Sequence, residues 1–499
     1  MIVSCDEMRA REKRAFASGV TADSLMEEAG VQIARTVCQF FPVPGMCVVF
    51  FGKGHNGGDA LVAARHLATL GWRIELRSPF LESTWAELTA EKHKKFLAVD
   101  RHGRDLEEMI RGKNSCPFVV LDGLLGIGAH GPLRDPVLEA ARKINHLRAE
   151  SNAQVFSIDI PTGLDGDTGE PADDCVVADF TLAIGFAKKG LVADTAPNFV
   201  GRLAVLPLPK LDMQKPEGDR VSTIATGHSL AVLLPRRKFD SNKGNYGRIG
   251  IVAGSVGAIG AAAMSAEAAL RAGAGLITLF APPEIYAILA SVCTPEIMVR
   301  EIESYREVLD TKLDVIAVGP GLGKKYADDV LHLIEKSPLP MVVDADALNI
   351  ISSDTSLLGR CAGKRLLTPH PGEMARLCET KNQSRHEIAQ KFTEQFPVTL
   401  LLKGSRTIIA ESGEPFSYNT TGSPGMATGG MGDTLTGVCA ALIGQGLSCY
   451  DAARLGAWVC GRAAELAIYQ GAQSEESLAA TDLHATLGEA FKQLRAKCF

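Results

Sequence analysis

Hydrophobic residues in the first half of the chain form short continuous runs, each followed by a glycine-containing loop. The runs are CVVFF, FVVLD and VFSID, and helical patterns separate them. Continuous apolar runs of this length are typical of parallel strands that are covered on both faces. Residues 21–40 have helical spacing instead and end near Pro42. The pattern predicts a parallel sheet with connecting helices between residues 46 and 205.

The second half shows the same alternation with different loops. Its apolar runs are RIGIVAG, LITLF, VIAVGPG, MVVDAD, RLLTPH, TLLLKG and TIIA, and a long alanine-rich helix follows the first of them. Alternating strands and helices predict the α/β class for both halves. Because the loop sequences differ, we do not interpret the two halves as repeats of one another.

A chain of 499 residues is too long for one compact core and fits two domains of roughly 200–280 residues each. The stretch at residues 206–220, LPLPKLDMQKPEGDR, contains three prolines and several charges without periodicity. Such a composition is typical of a linker. We therefore predict a first domain at residues 1–215 and a second at residues 222–499.

The net charge and the distribution of cysteines limit the classes of function that fit this chain. The net charge is −6 without any basic run, and twelve cysteines are scattered without a CxxC pair. These features argue against a nucleic acid partner and for a reducing compartment. The N-terminus is charged, and the Ala- and Gly-rich stretch 257–283 is interrupted by Glu267 and Arg271, so we predict neither a signal peptide nor a membrane span. We expect a cytoplasmic homo-oligomer that acts on small molecules.

Three loops of the first half carry candidate chemistry. The loop GKGHNGGDA at residues 52–60 exposes backbone N–H groups before a helix, which suits a phosphate. Gly52, Gly54 and Gly57 also match the dinucleotide fingerprint GxGxxG, with Glu75 near the end of the next strand. A tight turn in which Asp59 caps the helix explains the same residues.

The other two loops are DGLLGIGAHGPL and DIPTGLDGDTG, which begin at Asp122 and Asp159. Because carboxyl ends of parallel strands share one sheet edge, Asn56, Asp122 and Thr162 are expected to lie on neighbouring loops. Taken singly, each aspartate also fits a capping role. Together, amide, carboxylate and hydroxyl oxygens suit a hard cation, and one negative charge favours potassium.

These loops, with SLMEEAG at residues 24–30 and TLAIGFAKKGL, resemble the signatures of the NAD(P)H-hydrate epimerase family. The family has Asn at the position of His55 and Gly at that of Ala60. The resemblance implies a K⁺ ion held by Asn56, Asp122 and Thr162. It also implies hydrate contacts from His55, Asn56, Gly57, Gly58, Asp59, Gly126, Ile127, Gly128, Ala129, His130, Gly131, Pro132 and Asp159.

The reaction implied for this half is inversion at C6 of the hydrated nicotinamide ring. Either ring opening or loss and return of the hydroxyl needs a positioned proton carrier. We predict that Asp159 is the general acid and base. Lys188 is a candidate electrostatic assistant, or else an ordinary surface lysine.

The second half carries the motif NTTGSPGMATGGMGDTLTGVCAALIGQG at residues 419–446. Gly429, Gly430 and Gly432 precede a helix that is predicted to start near Asp433, so free N–H groups form an anion hole. Asp433 fits an N-cap, but a carboxylate beside an anion hole also suits deprotonation of a hydroxyl during phosphoryl transfer. Three glycines exceed what a cap requires, which favours catalysis.

This loop resembles the GxGD loop of the ribokinase-like superfamily. NKGNYGRIGIVAGS, VGPGLG, VDADALN, LTPHPGEMARL and LLKGSRT narrow the resemblance to the nucleotide-dependent NAD(P)H-hydrate dehydratase family. The family has His where this chain has Asn242. For VDADALN we predict that Asp344 and Asp346 merely end a strand and cap a helix, and capping is also an alternative for His370 and Glu373.

The resemblance implies that Asp433 removes the C6 hydroxyl proton, that the oxygen takes a phosphoryl group, and that phosphate then leaves. Mg²⁺ would bridge the phosphates of ADP or ATP, with ADP suggested by the fused architecture. The substrates would be NADH hydrate and NADPH hydrate. The implied contacts to the hydrate are Ala261, Gly321, His370 and Asp433. The implied contacts to the nucleotide are Lys403, Gly404, Ser405, Arg406 and Thr407, together with the loop 422–432, which contains Gly429, Gly430 and Gly432.

Three other functions fit parts of the sequence. The GxGD loop alone allows a kinase that leaves its product phosphorylated. The first half alone allows a non-catalytic binding or interaction module, and its GxGxxG allows a dehydrogenase. Retention of Asn56, Asp122, Asp159 and Thr162 argues against the module, and the aspartate-rich third loop is unexplained by the dehydrogenase.

Overall fold

The computed structural model describes residues 1–99, 116–128, 131–211, 221–234 and 236–498. The chain forms two compact units, Met1–Ile224 and Ala225–Cys498. Most of the predicted linker, residues 212–220, lies outside the described residues. In the described part of the chain, no helix has both the length and the apolar character needed to cross a bilayer.

The first unit alternates strands and helices, as its hydrophobic runs predicted. Its strands are β1 (Ile2–Val3), β2 (Met46–Phe51), β3 (Arg73–Arg77), β4 (Phe118–Gly123), β5 (Gln154–Ile158), β6 (Phe180–Ile184), β7 (Ala187–Lys188), β8 (Arg202–Leu206) and β9 (Thr223–Ile224). Its helices are α1 (Cys5–Ala17), α2 (Ala22–Phe40), α3 (His55–Thr69), α4 (Glu87–Val99), α5 (Val137–Ser151) and α6 (Pro197–Val200).

Six strands of this unit form one parallel sheet in the order β3-β2-β4-β5-β6-β8. Every residue of β2 and β4 is buried, as expected for strands covered on both faces. Helix α2 occupies the predicted helical stretch, and the Thr21 side chain caps it by accepting from the Ser24 N–H. The sheet therefore places the carboxyl ends of β2, β4 and β5 side by side.

The second unit contains β10 (Arg248–Val252), β11 (Leu276–Ala281), β12 (Met298–Glu301), β13 (Val315–Val318), β14 (Met341–Val343), β15 (Arg365–Leu367), β16 (Thr399–Leu402), β17 (Thr407–Ala410) and β18 (Ser417–Asn419). Its helices are α7 (Gly227–Leu230), α8 (Ile259–Arg271), α9 (Pro283–Val292), α10 (Ala327–Lys336), α11 (Ala345–Ile351), α12 (Pro371–Leu377), α13 (Arg385–Gln395), α14 (Met431–Gly444), α15 (Cys449–Tyr469) and α16 (Ala480–Arg495).

The described strands of this unit lie in the order β12-β11-β10-β13-β14-β15-β16-β17-β18. Pairing is parallel from β12 to β16 and antiparallel from β16 to β18. Helix α14 packs closely on α8, because a Cβ at Gly437 would lie 2.1 Å from the Ser265 carbonyl oxygen. The predicted α/β class is confirmed in both units.

Candidate active sites

The structure brings the three polar loops of the first unit together. They follow β2, β4 and β5, which are neighbours in the sheet. The Asn56 side chain donates to the Leu125 carbonyl oxygen at 2.8 Å, and the Thr162 hydroxyl accepts from the Leu125 N–H at 3.2 Å. Asn56 and Thr162 therefore meet at one point of the second loop.

Asp122 lies at the centre of this group and is fully buried. Its carboxylate accepts from the Thr162 hydroxyl at 2.7 Å and from the Thr162 N–H and the Ser157 hydroxyl, both at 2.9 Å. Burial raises the pKa of Asp122, although these hydrogen bonds oppose the shift. No ion pair compensates the carboxylate within the described residues, so its negative charge and the surrounding oxygens fit a monovalent cation.

Asp159 and Lys188 form a buried ion pair in the same unit. The Lys188 side chain is fully buried, and its ammonium donates to Asp159 and to the Ile184 carbonyl oxygen, the latter at 3.1 Å. The Asp159 carboxylate also accepts from the Ile184 N–H at 3.1 Å. The surface-lysine alternative for Lys188 is therefore wrong. Asp159 itself adopts a left-handed backbone conformation with φ 70°.

Two further carboxyl groups lie near this pair and line a cavity. Glu12, Asp59 and His55 border a cavity of about 60 Å³ whose other walls are largely apolar. Burial and the Asp159 charge raise the pKa of Glu12 and, more strongly, of Asp59. Such a volume is large enough for water, and Ile184, whose backbone bonds to both Asp159 and Lys188, forms part of its wall.

The helix that follows the glycine loop begins before Asp59, so this residue is not at the helix start. Helix α3 starts at His55 after Gly54, with no side-chain cap, so Asp59 lies within the helix and the capping alternative is wrong. Ala60 packs on Gly123, where an added Cβ would lie 2.5 Å from the Ala60 methyl group. The alanine therefore replaces the family's glycine without closing the loop, because residue 123 has no side chain.

The other predicted contacts of the first unit have different surroundings. A Cβ at Gly57 would lie 2.0 Å from the Gly52 carbonyl oxygen, so the tight turn requires this glycine. A Cβ at Gly58 would lie 2.4 Å from the Met26 sulfur, so the Met26 side chain would have to move. Gly126 packs beside the Asn56 side chain. Ile127 is half-buried, whereas Gly128, Gly131 and Pro132 are exposed. Ala129 and His130 lie outside the described residues.

Glu75, the acidic residue of the possible dinucleotide fingerprint, is buried with 6% of its side chain exposed and pairs with Arg77. A residue that binds a ribose hydroxyl must face the ligand at the sheet edge. Glu75 lies instead in the middle of β3, which argues against the dehydrogenase alternative.

In the second unit, β14, β15 and β16 are neighbours, and their carboxyl ends lead to Asp344, His370 and Lys403. Lys403 donates to Asp344 Oδ1 at 2.8 Å, and its Nζ lies 3.9 Å from Glu373 Oε2. The Thr436 hydroxyl donates to Asp344 Oδ2 at 2.8 Å. Asp344 makes no side-chain cap to α11, so the predicted capping role is wrong.

The predicted capping role is wrong for Asp346 as well, because this residue lies inside α11. Its carboxylate accepts from the Gly323 N–H at 2.9 Å and from the Asn349 side chain at 3.4 Å. It thus ties the start of α11 to the loop after β13 rather than to its own helix end.

Asp433 lies in the first turn of α14, which starts at Met431 rather than at Asp433 itself. The helix N-cap is Gly430, with φ 90° and no side-chain cap, so the first N–H groups are left for a ligand. The Asp433 carboxylate makes no hydrogen bond to another described residue, which excludes the N-cap alternative. Burial, followed by the charge of Asp344, raises the pKa of Asp433 to about 6.

His370 caps α12, as the simpler alternative proposed. Its Nδ1 accepts from the Gly372 N–H at 3.0 Å, and the His370 N–H donates to Glu373 at 2.8 Å. The histidine side chain is nevertheless 51% exposed. Its Nε2 lies 3.4 Å from Glu373 Oε1, so the ring is exposed to a ligand while both of its nitrogens face groups at the start of α12.

Ala261 and Gly321 come together, as both were predicted to line one pocket. A Cβ at Gly321 would lie 2.9 Å from the Ala261 methyl group, and Gly321 has φ 59°. The Ser255 hydroxyl fixes this turn by donating to the Gly321 carbonyl oxygen at 2.7 Å.

The loop at residues 403–407 connects β16 to β17. The Thr407 hydroxyl donates to the Gly404 carbonyl oxygen at 3.0 Å. Ser405 is exposed, whereas Arg406 is buried with 4% exposure. Arg385 packs over Gly404, where a Cβ would lie 2.8 Å from its guanidinium. Gly429 is exposed near this edge of the sheet.

Asn242 has a local structural role. Its Oδ1 accepts from the Gly244 N–H at 2.9 Å and caps the short 3-10 helix Lys243–Tyr246. Asparagine is a preferred capping residue. This explains how the chain tolerates the departure from the family's histidine.

Glu12 and Arg385 are among the site residues to which no prediction was attached. Glu12 lies in a helix whose polar pattern resembles any solvated face, and Arg385 precedes an ordinary amphipathic stretch. In both cases only the packing of a distant loop reveals the contact. The sequence carries no local signal that separates them from surface residues.

The two units define an α/β enzyme with two polar sites, and sequence comparisons identify its family. Residues 22–190 match the family described as YjeF-related protein N-terminus, and residues 249–488 match NAD(P)H-hydrate dehydratase. The bifunctional NAD(P)H-hydrate repair enzyme Nnr of Moorella thermoacetica is 36% identical over 481 residues, which cover 90% of this chain and 89% of that one. The chain belongs to the family of bifunctional NAD(P)H-hydrate repair enzymes.

Other relatives are similar over comparable lengths. Nnr of Escherichia coli K12 is 33% identical over 491 residues, covering 97% of this chain and 92% of the relative. A crystal structure of an ADP/ATP-dependent NAD(P)H-hydrate dehydratase from Bacillus subtilis, co-crystallised with ATP and Mg²⁺, superposes with a TM-score of 0.49 at 27% identity. It covers 55% of this chain and 98% of that one.

Proposed function

We propose that the first unit epimerises the R and S forms of NADH hydrate and NADPH hydrate, and that the second dehydrates the S form at the expense of ADP or ATP. The observation that carries this proposal is the presence of two separate polar edges. One holds the buried Asp159–Lys188 pair, and the other holds Asp433 beside an uncapped helix start.

In the first unit, Asp159 carries the proton that inversion at C6 requires. Lys188 stabilises the Asp159 carboxylate and fixes its direction, because the ammonium is anchored to the Ile184 carbonyl oxygen. The described residues implied for the hydrate lie in segments that follow neighbouring strands of the same sheet, and they are His55 to Asp59, Gly126, Ile127, Gly128, Gly131 and Pro132. Bound there, the ring would exclude water from the pair and strengthen the proton transfer.

Asn56, Asp122 and Thr162 would hold the K⁺ ion. Their arrangement fits it, since Asp122 is a fully buried carboxylate without an ion pair in the described structure. The ion would supply positive charge that compensates Asp122 and steadies the loop bearing Gly126.

We expect K⁺ removal to slow epimerisation. Replacing KCl by tetramethylammonium chloride at equal ionic strength should lower the rate severalfold and lower the Tm of the protein, because a ligand of the folded state stabilises it. R/S interconversion followed by chromatography and a thermal melt provide the two measurements. Asp122→Asn should abolish both effects of K⁺. Equal rates and Tm values in the two salts would contradict the assignment.

In the second unit, Asp433 accepts the C6 hydroxyl proton, and the oxygen attacks the terminal phosphoryl group of the nucleotide. The bond to the remaining nucleotide breaks, so AMP leaves from ADP or ADP leaves from ATP. Phosphate then leaves with the C6 oxygen, a proton leaves C5, and the C5=C6 double bond returns. Gly429, Gly430 and Gly432 donate N–H groups to the transferred phosphoryl group, and Lys403 adds positive charge. Ala261, Gly321 and His370 would contact the hydrate, with Gly404, Ser405, Arg406 and Thr407 contacting the nucleotide.

Mg²⁺ would arrive with the nucleotide. The described residues contain no group of three or more His, Cys, Asp or Glu side chains placed to hold a metal. The ion would therefore be held mainly by the phosphates, whose charge it neutralises.

The proposal is tested with a mixture of R and S NADH hydrate. We expect the protein with Mg²⁺ and ADP to restore NADH absorbance from the whole mixture, with one phosphate released per NADH. A dehydratase without an epimerase would stop when the S form is consumed. A phosphorylated product without NADH would instead support the kinase alternative.

A further inference from the structure

We propose that Asp344 is a positioning residue for the dehydration reaction. Its carboxylate holds the Lys403 ammonium beside the Gly432 backbone, where the phosphoryl group is transferred. This inference rests on the function proposed for the second unit. Asp344 follows β14 directly and is 1% exposed. It touches neither the hydrate nor the nucleotide in this assignment and acts through Lys403.

The geometry of the Asp344 carboxylate supports this role. One oxygen accepts from Lys403 and the other from the Thr436 hydroxyl, each at 2.8 Å. A Cβ at Gly432 would lie 3.3 Å from Lys403 Nζ and 3.4 Å from Asp344 Oδ2. The ion pair therefore lies directly over the glycine that precedes Asp433, and Asp344 joins the end of β16 to helix α14.

The backbone beside Asp344 gives independent support. Ala345 has φ 49°, a left-handed conformation that costs a residue with a Cβ about 1–2 kcal/mol. Strained residues of this kind cluster where the surrounding structure fixes a functional group. A helix cap would need no such strain, and Asp344 provides no cap to α11.

The charges around Asp433 give the inference a measurable consequence. The groups that act on it are Asp344, Lys403 and Asp346, and burial with the Asp344 charge raises its pKa to about 6. Burial lowers the pKa of Lys403, but Asp344, Glu373 and Asp433 together raise it above its usual value. Removing the Asp344 charge therefore lowers the pKa of Asp433 directly, and it frees Lys403 to pair with Asp433.

The test compares the pH dependence of kcat/KM for ADP-dependent NADH restoration. We expect the acid limb of the parent enzyme near pH 6, as the pKa of Asp433 is about 6. Asp344→Asn should shift this limb to lower pH and lower kcat by roughly 10- to 100-fold, because a misplaced group of the site costs about this much. Thr436→Val keeps the Asp344 charge, so it should lower kcat severalfold without shifting the limb.

Two matched variants control for general damage. Asp314→Asn breaks an ion pair with Arg248 at the opposite ends of the strands, and Thr393→Val removes a buried hydroxyl that bonds within α13. Neither should alter the pH profile or kcat. A thermal melt of each variant, measured on the same preparation, shows whether the second unit is folded.

The outcomes separate the inference from the function on which it rests. If the parent enzyme restores no NADH, the proposed function fails. If the parent enzyme is active but the acid limb of Asp344→Asn lies at the same pH as that of the parent, Asp344 does not affect the titration of the site. The inference is then wrong, whether or not kcat falls. If Asp344→Asn does not fold, Thr436→Val provides the test. Values of kcat and kcat/KM for Thr436→Val equal to those of the control Thr393→Val would then overturn the inference.

Discussion

Asp433→Asn is expected to lower the dehydratase kcat by roughly 10²- to 10⁴-fold, the usual contribution of a general base. Asparagine has the same shape but cannot accept the C6 hydroxyl proton at neutral pH. Because the Asp433 carboxylate makes no hydrogen bond to another described residue, the substitution leaves no partner without its hydrogen bond. NADH restoration from the S form, followed by absorbance with saturating ADP and Mg²⁺, measures the loss.

The same variant should not be less stable. The pKa of Asp433 is raised in the folded protein from 3.8 to about 6, so the fold favours the protonated form. The stabilising effect is present below pH 3.8 and lost as the pH rises through about 6. At neutral pH the ionised carboxylate therefore opposes folding, and Asn removes this cost. We expect an equal or higher Tm, which distinguishes a catalytic loss from unfolding.

Epimerisation is the internal control for this prediction. R/S interconversion should continue at the parent rate in Asp433→Asn, because the first unit supplies the groups for it. A variant that still restores NADH at a tenth of the parent rate would argue against Asp433 as the base. Loss of both activities in a folded chain would contradict the assignment of one activity to each unit.

The strands, and the sheet edge where the candidate residues come together, followed from the sequence for a simple physical reason. Strands buried on both faces, such as Met46–Phe51 and Phe118–Gly123, leave continuous apolar runs. Parallel strands also place their carboxyl ends at one edge, so Asn56, Asp122 and Thr162 could be grouped before their contacts were known. Local composition and strand direction were sufficient for these features.

The partners of charged residues did not follow from the sequence. Asp344 meets residues 59 and 92 positions away along the chain, and a strand-to-helix junction alone is equally consistent with a cap. Lys188 stands beside a second lysine in a mostly apolar stretch, and nothing in that stretch reveals that it is fully buried against Asp159. Burial and pairing of such groups depend on long-range packing, which hydrophobic periodicity does not encode.

The pair Asp159–Lys188 provides the second large expected effect. Asp159→Asn should lower the rate of R/S interconversion by roughly 10²- to 10⁴-fold, as it removes the proton carrier. Asparagine is the appropriate substitution, because residue 159 has φ 70° and Asn tolerates this conformation better than Ala. Dehydration of the S form should be unchanged. Chromatography of the two epimers and NADH absorbance measure the two activities.

Measurements of stability distinguish a catalytic role of the Asp159–Lys188 pair from a purely structural one. Asp159→Asn leaves Lys188 buried without its carboxylate, which costs about 3–5 kcal/mol for a broken buried pair. The double variant Asp159→Asn/Lys188→Met removes both charges and should recover most of the lost stability. It should not recover epimerisation, since no proton carrier returns with it. Chemical denaturation and the epimerisation assay are applied to the parent, to Asp159→Asn and to the double variant. An active double variant would show that the Asp159–Lys188 pair has only a structural role.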